Sequence, residues 1–135
     1  MTAILIVDDD DDIRSLIQVA FQLAGGWNVV MAGSLAAAAH ELATGSFDAV
    51  LTDNHLGDGT AADVLARAGD LPVLVLSGSV DGPPSAVVPL PGFAGGISKP
   101  FDPMTLPALV ASTIRLGGDA ATTDGGGSWE WDVTA

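Results

Sequence analysis

The chain has 135 residues, 48% of them hydrophobic, and a formal net charge of -13 from 17 acidic and 4 basic side chains. That length suits one domain with a core large enough to dispense with staples, and the lack of any cysteine excludes disulfides, cysteine metal sites and thiol catalysis. So acidic a surface repels nucleic-acid phosphates and anionic lipids, so neither direct nucleic-acid binding nor membrane association is expected.

The first apolar run, Ala3 to Val7, has no basic segment before it and runs straight into the acids Asp8 to Asp12. It is not a signal peptide, and no later stretch approaches the ~18 apolar residues of a membrane span, so a cytoplasmic protein is expected. The acids are almost all Asp, and Lys99 is the single lysine. A high-GC genome's residue bias accounts for this; adaptation to a salt-rich cytoplasm is the sharper alternative.

Ala3–Val7 is short, branched and abruptly ended, the pattern of a buried parallel strand. From Asp11 to Ala24, Ile13, Leu16, Ile17, Ala20, Phe21 and Ala24 recur at helical spacing, with Asp10, Asp11 and Asp12 placed to cap the helix and Gly25-Gly26 to stop it. Trp27 to Met31 is a second strand. Ser34 caps an Ala-rich helix running to about Leu42, and Phe47 to Thr52 is a third strand that ends in Asp53. Asn54 to Thr60 is a loop and Ala61 to Ala68 a third helix. Pro72 to Leu76 is a fourth strand closed by Ser77-Gly78, and Ile97 lies in a short fifth strand before Lys99. Pro103 opens a last helix carrying Leu106, Leu109, Val110 and Ile114, which Gly117-Gly118 is expected to end.

Strands alternating with helices predict an α/β fold: an open five-stranded parallel sheet sandwiched by helices. Val80 to Gly96 should hold the fourth crossover helix. It carries four prolines and four glycines, so that helix is short, at most one turn near Ser85 to Val88, or missing. Its apolar residues, Phe93 among them, are left to cover the sheet from a loop. The domain is taken as 1–117, with 118–135 an acidic flexible tail that carries Trp129 and Trp131.

In such sheets ligands sit at the carboxyl ends of the strands, and Asp8, Asp53, Ser77 and Lys99 each follow an apolar strand. They therefore gather on one edge. Three carboxylates there, Asp8, Asp9 and Asp53, repel one another unless a cation neutralises them, and an all-oxygen donor set suits Mg²⁺, with Mn²⁺ as an alternative. Helix capping alone explains an Asp run but not a second acid ending another buried strand. Lys99 offers a compact positive charge, Ser77 a hydroxyl, and Gly78 an approachable backbone N–H.

The blocks ILIVDDD, FDAVLTD at 47–53, PVLVLSG at 72–78 and ISKPF at 97–101 together resemble the response-regulator receiver domains of two-component signalling, over about residues 3 to 116. The resemblance implies a flavodoxin-like fold with strand order 2-1-3-4-5. It implies that Asp53 accepts a phosphoryl group from a phosphohistidine donor, either a sensor histidine kinase or a histidine phosphotransfer protein. Asp9 would hold Mg²⁺ directly, Asp8 through water, with Asp53 and the backbone carbonyl of His55 completing the protein ligands. Ser77 and Lys99 would contact the phosphoryl group, joined by the N–H groups of Asn54 and Gly78. The donor would dock on the first helix near Ile13, Arg14 and Ile17.

Three departures from the family pattern stand out. Gly57 and Ala61 replace the usual Pro and Gly, which suggests a looser loop. Gly96 replaces the usual rotating aromatic, and the fourth helix is broken. The reading is a single-domain response regulator or phosphorelay intermediate, a phosphoacceptor rather than an enzyme, signalling through an unknown downstream protein. The alternative is a degenerate receiver that acts as a phosphorylation-independent interaction module. A haloacid-dehalogenase-type phosphatase would want Asp where His55 stands, and no nucleotide-binding Gly-Lys-Ser/Thr loop is present.

Overall fold

Apolar runs that stop at a polar residue become strands whose ends share one edge. The computed structural model describes residues 2–78 and 87–122, with side chains described as far as Ile114. In chain order the elements are β1 (Thr2–Val7), α1 (Asp11–Ala24), β2 (Trp27–Ala32), α2 (Leu35–Thr44), β3 (Ala49–Asp53), β4 (His55–Leu56), β5 (Gly59–Thr60), α3 (Ala61–Ala68), β6 (Val73–Ser77), β7 (Val87–Val88), β8 (Gly95–Ser98), a 3₁₀ turn (Pro103–Thr105) and α4 (Leu106–Thr122). The main sheet runs β2-β1-β3-β6-β8-β7. Its first five strands are parallel, with Ile4 beside Val29 and Ala49, and Leu74 beside Gly95. This is the expected second-first-third-fourth-fifth order.

Side chains alternate across the sheet, and each face has its own core. Ile4, Ile6, Ala49, Leu51, Leu74, Leu76 and Ile97 pack with Ile17 and Phe21 of α1 and Leu106 and Val110 of α4. Leu5, Val7, Val50 and Val73 pack with Ala38 of α2 and with Val64 and Ala68 of α3. The Phe21 ring meets Trp27 edge-on, centroids 4.8 Å apart. Helix ends follow local chemistry. Asp10 accepts from Asp12 N and Ile13 N, and Gly25 and Gly26 stop α1 at φ +78° and +82°, where a side chain would be strained.

The structure departs from expectation in four places. A sixth strand joins the sheet: β7 pairs antiparallel with β8, Val87 opposite Ile97 and Val88 opposite Gly96. So Val87 and Val88 form a strand, where a single helical turn near Ser85 to Val88 was the most the sequence allowed. A Cβ on Gly95 would stand 2.2 Å from Val87 Cγ1 and 3.3 Å from Val88 O, so the glycine is what lets β7 lie so close. The first half of the Pro/Gly segment, through residue 86, lies outside the described residues. In its second half Phe93 packs on the α2/α3 face from outside any strand, as expected of a loop, whereas Val87 packs on the α1/α4 face as part of β7. Second, the stretch after Asp53 is not a plain loop, because β4 and β5 form a small antiparallel hairpin. Third, α4 passes through Gly117-Gly118 and ends at Thr122. Glycine weakens a helix by about 1 kcal/mol against alanine but does not by itself stop one. The expected flexible tail from 118 therefore begins within this helix, and its Trp129 and Trp131 lie outside the described residues. Fourth, Ile17 is fully buried, so it belongs to the core and cannot offer a docking surface. No helix among the described residues is long and apolar enough to cross a membrane.

Candidate functional site

Asp8 follows directly on β1, Asp53 and Ser77 are the last residues of β3 and β6, and Lys99 follows directly on β8. Parallel strands in register bring these ends to one edge, where a cavity of about 650 Å³ opens. Its polar wall is Asp8, Asp9, Asp10, Asp53 and Lys99; its apolar wall includes Ile13 and Leu16 of α1 and Phe101 and Pro103 ahead of α4. Ser77 and Gly78 stand at the adjacent strand end. Ser77 is buried, whereas Gly78 is exposed, and a Cβ there would meet no atom within 4 Å. Lys99 N donates to Ser77 O at 3.1 Å, which ties the two strand ends together.

Asp53 receives two donors on the same oxygen. Lys99 Nζ lies 2.6 Å from its Oδ1, and Asn54 N donates to Oδ1 at 2.9 Å. Asn54 N also donates to Leu76 O, so this N–H serves both the sheet and the carboxylate. His55 opens the β4 strand two residues beyond Asp53; its exposed ring lies 3.4 Å from Asn54 Nδ2.

Asp8 is 2% exposed. Its Oδ1 accepts from Asp10 N at 2.9 Å, and its Oδ2 is buried with no hydrogen-bond partner among the described residues. Burial pushes the Asp8 carboxyl above its ordinary value; the Asp10 N–H opposes this, the Asp53 charge adds to it, Lys99 opposes it and Asp9 adds. One carboxylate oxygen from each of Asp8, Asp9 and Asp53 lies within 4.8 Å of the other two. A buried, unmet acceptor inside a cluster of three acids fits a hard divalent cation. The donor set is all oxygen, as Mg²⁺ prefers.

Two contributors escaped sequence reasoning. Arg14, expected on a docking face, turns inward: its guanidinium donates to Asp8 O at 2.7 Å and pairs with Asp11. Asp58 reaches α2, where its two oxygens accept from Leu35 N at 2.7 Å and Ala36 N at 3.0 Å. Those N–H groups hold the Asp58 carboxyl below its ordinary value. The sequence put Arg14 on the first helix near the donor's docking position but gave no sign of its bond to Asp8 O, and Asp58 carried no signal, since its partners lie 22 and 23 positions away. The expected looseness of the loop is accordingly not found. Asp58 clamps it, Ala61 N donates to Asn54 O at 2.9 Å, and Thr60 forms a capping box with Asp63.

Several solved structures share this architecture. The receiver domain protein (CheY-like) of Methanospirillum hungatei JF-1 superposes with a TM-score of 0.74 at 20% identity, over 89% of this chain and 98% of that one. The N-terminal domain of a response regulator/sensory box/GGDEF 3-domain protein from Carboxydothermus hydrogenoformans gives 0.70 at 22% identity, over 89% and 99%. The chemotaxis response regulator CheY4 of Vibrio cholerae gives 0.67 at 23%, over 84% and 98%. No curated protein matches the sequence significantly. The family model for the response regulator receiver domain matches residues 4–111, most of the chain and every strand of the site. With the strand order and the clustered acids, that match settles the family: this chain belongs to the response regulator receiver domains of two-component signalling.

Proposed function

We propose that this receiver accepts a phosphoryl group on Asp53 from a phosphohistidine donor, a sensor histidine kinase or a histidine phosphotransfer protein. It is a switch read by a downstream protein, not a turnover enzyme. The observation that carries this reading is the placement of Asp53 between a fixed cation and a cluster of acids. Lys99 and Asn54 N both engage Oδ1, which leaves Oδ2 as the atom to attack phosphorus in line. The P–O bond forms as the donor's P–N bond breaks, and the imidazole leaves with its electron pair. Lys99 then moves with the charge onto a phosphoryl oxygen. The Ser77 hydroxyl and the Gly78 N–H, from the neighbouring strand end, would donate to the other oxygens.

Asp8, Asp9, Asp53 and the His55 backbone carbonyl are the groups that would hold Mg²⁺, or Mn²⁺. Bound there, the cation would neutralise the crowded acids and the charge developing on the phosphoryl oxygens. The Asp8 Oδ2 without a partner supports this assignment. An interaction module working without phosphorylation would have no use for that acceptor. Incubation with acetyl phosphate and Mg²⁺, read on a phosphate-affinity gel, tests the proposal. A shifted band for the wild type and none for Asp53→Asn is the expected result; a shift that persists in Asp53→Asn means another acceptor.

A further inference from the structure

Helix α2 begins with exposed-end N–H groups to satisfy and has no acidic residue in its first turn. Ser34 Oγ takes Ala37 N at 3.0 Å. The two preceding N–H groups, Leu35 and Ala36, are taken by Asp58, which stands at the tip of the β4–β5 hairpin that follows β3 in the chain. One carboxylate thus completes a helix cap and supplies the negative charge that a helix N-terminus favours, from more than twenty residues away. The contact is close. A Cβ on Gly59 would stand 2.5 Å from Leu35 Cδ2, so the hairpin lies directly against the first turn of α2. The other end of the hairpin is Asn54-His55, adjoining the phosphoacceptor position, and Asn54 O is held by Ala61 N.

We propose that Asp58 is a positioning residue for the chemistry at Asp53: by clamping the first turn of α2, it fixes the hairpin that carries His55 beside the acid cluster. This rests on the cation-dependent reading of the site. The hairpin has only two residues per strand, too few to hold itself in place, and its anchoring comes from outside. The clamp also joins α2 to the site, so a change of hairpin position on phosphorylation would be felt at the α2 N-terminus. That route matters in a chain whose Gly96 offers no side chain to rotate.

Mg²⁺ affinity by calorimetry, with amide hydrogen exchange across 54–60, tests the proposal in Asp58→Ala, Asp58→Asn and Ser34→Ala. Asn removes the same charge as Ala but keeps one acceptor oxygen, and Ser34→Ala removes the other cap on the same turn without touching the hairpin. Asp58→Ala is expected to weaken Mg²⁺ roughly tenfold, the lower end of what losing a support behind a metal ligand costs, and to speed exchange across 54–60. Asp58→Asn should fall between Ala and wild type, and Ser34→Ala should bind as wild type. Equal weakening in Asn and Ala would assign the effect to charge alone, equal weakening in Ser34→Ala to helix fraying, and unchanged affinity in Asp58→Ala would remove the role altogether; each overturns the proposal. A wild-type protein that binds no Mg²⁺ overturns the site reading itself, and this inference with it.

Discussion

Asp8→Asn should stabilise the metal-free protein while destroying its response to Mg²⁺. Asp8 is 2% exposed, and its Oδ2 is a buried acceptor with no partner among the described residues. Leaving such a group unmet costs about 1–3 kcal/mol, more when it is charged. The amide keeps an oxygen for Asp10 N and puts an NH₂ in place of Oδ2, in a cluster where one oxygen each of Asp8, Asp9 and Asp53 lie within 4.8 Å of one another. A buried acceptor that is charged when ionised thereby becomes a neutral donor in a cluster of carboxylates. The gain is about 1–3 kcal/mol, a rise in Tm of roughly 4–12 °C for a domain of this size. The pH dependence has a definite sign. A carboxyl raised by burial above 3.8 binds more protons folded than unfolded, so wild-type stability falls as pH climbs from 3.8 through the raised value. Asp8→Asn should lack that fall. Thermal melts in EDTA and in Mg²⁺, from pH 3 to pH 8 or so, decide the matter. A variant that melts below wild type in EDTA, or that gains as much from Mg²⁺ as wild type does, would rule out this role for Asp8.

Lys99→Ala removes a positive charge 2.6 Å from Asp53; Mg²⁺ should bind as well or better by calorimetry, with a stability loss under about 1 kcal/mol because the lysine side chain is partly exposed. Gly95→Val puts a side chain where Val87 Cγ1 lies 2.2 Å from the Cβ position, and overpacking of about 1–3 kcal/mol should appear in urea melts together with faster amide exchange at Val87 and Val88. The Asp58 carboxyl is depressed below 3.8 by the N–H groups of Leu35 and Ala36, so its stabilising share is complete above 3.8 and is lost as pH falls through the depressed value. Asp58→Asn should therefore flatten the acid limb of stability against pH below about 3.8 and leave its slope near neutrality unchanged.

The strands and the acid cluster were legible because buried parallel strands read as unbroken apolar runs, and each of the site's strands ends at or just before one of the polar residues that gather on the edge. Asp8, Asp53, Ser77 and Lys99 are adjacent in space for that reason alone. The helix caps at Asp10 and Ser34 were legible as local chemistry. What failed was non-local or marginal. The two-residue β7 exists because Gly95 lacks a side chain, and its partner strand is itself only four residues long. The inward turn of Arg14 answers a backbone carbonyl at Asp8, which leaves no trace in residue spacing. Ile17 and Leu16 are neighbours on a helix with apolar residues on two sides, and only the packing of α1 on the sheet decides that Ile17 is buried while Leu16 is 49% exposed. The Asp58 clamp depends on β3 bringing the hairpin beside α2, a consequence of sheet order and not of local sequence.

The most direct test of the account is to locate the phosphoryl group. Intact-mass spectrometry after treatment with acetyl phosphate, with Mg²⁺ or with EDTA, followed by borohydride reduction and peptide mapping, identifies the acceptor residue. One added phosphoryl group is expected, formed only with Mg²⁺ and mapped to Asp53. Uptake in EDTA equal to that in Mg²⁺, a modified residue elsewhere, or no uptake at all would contradict it.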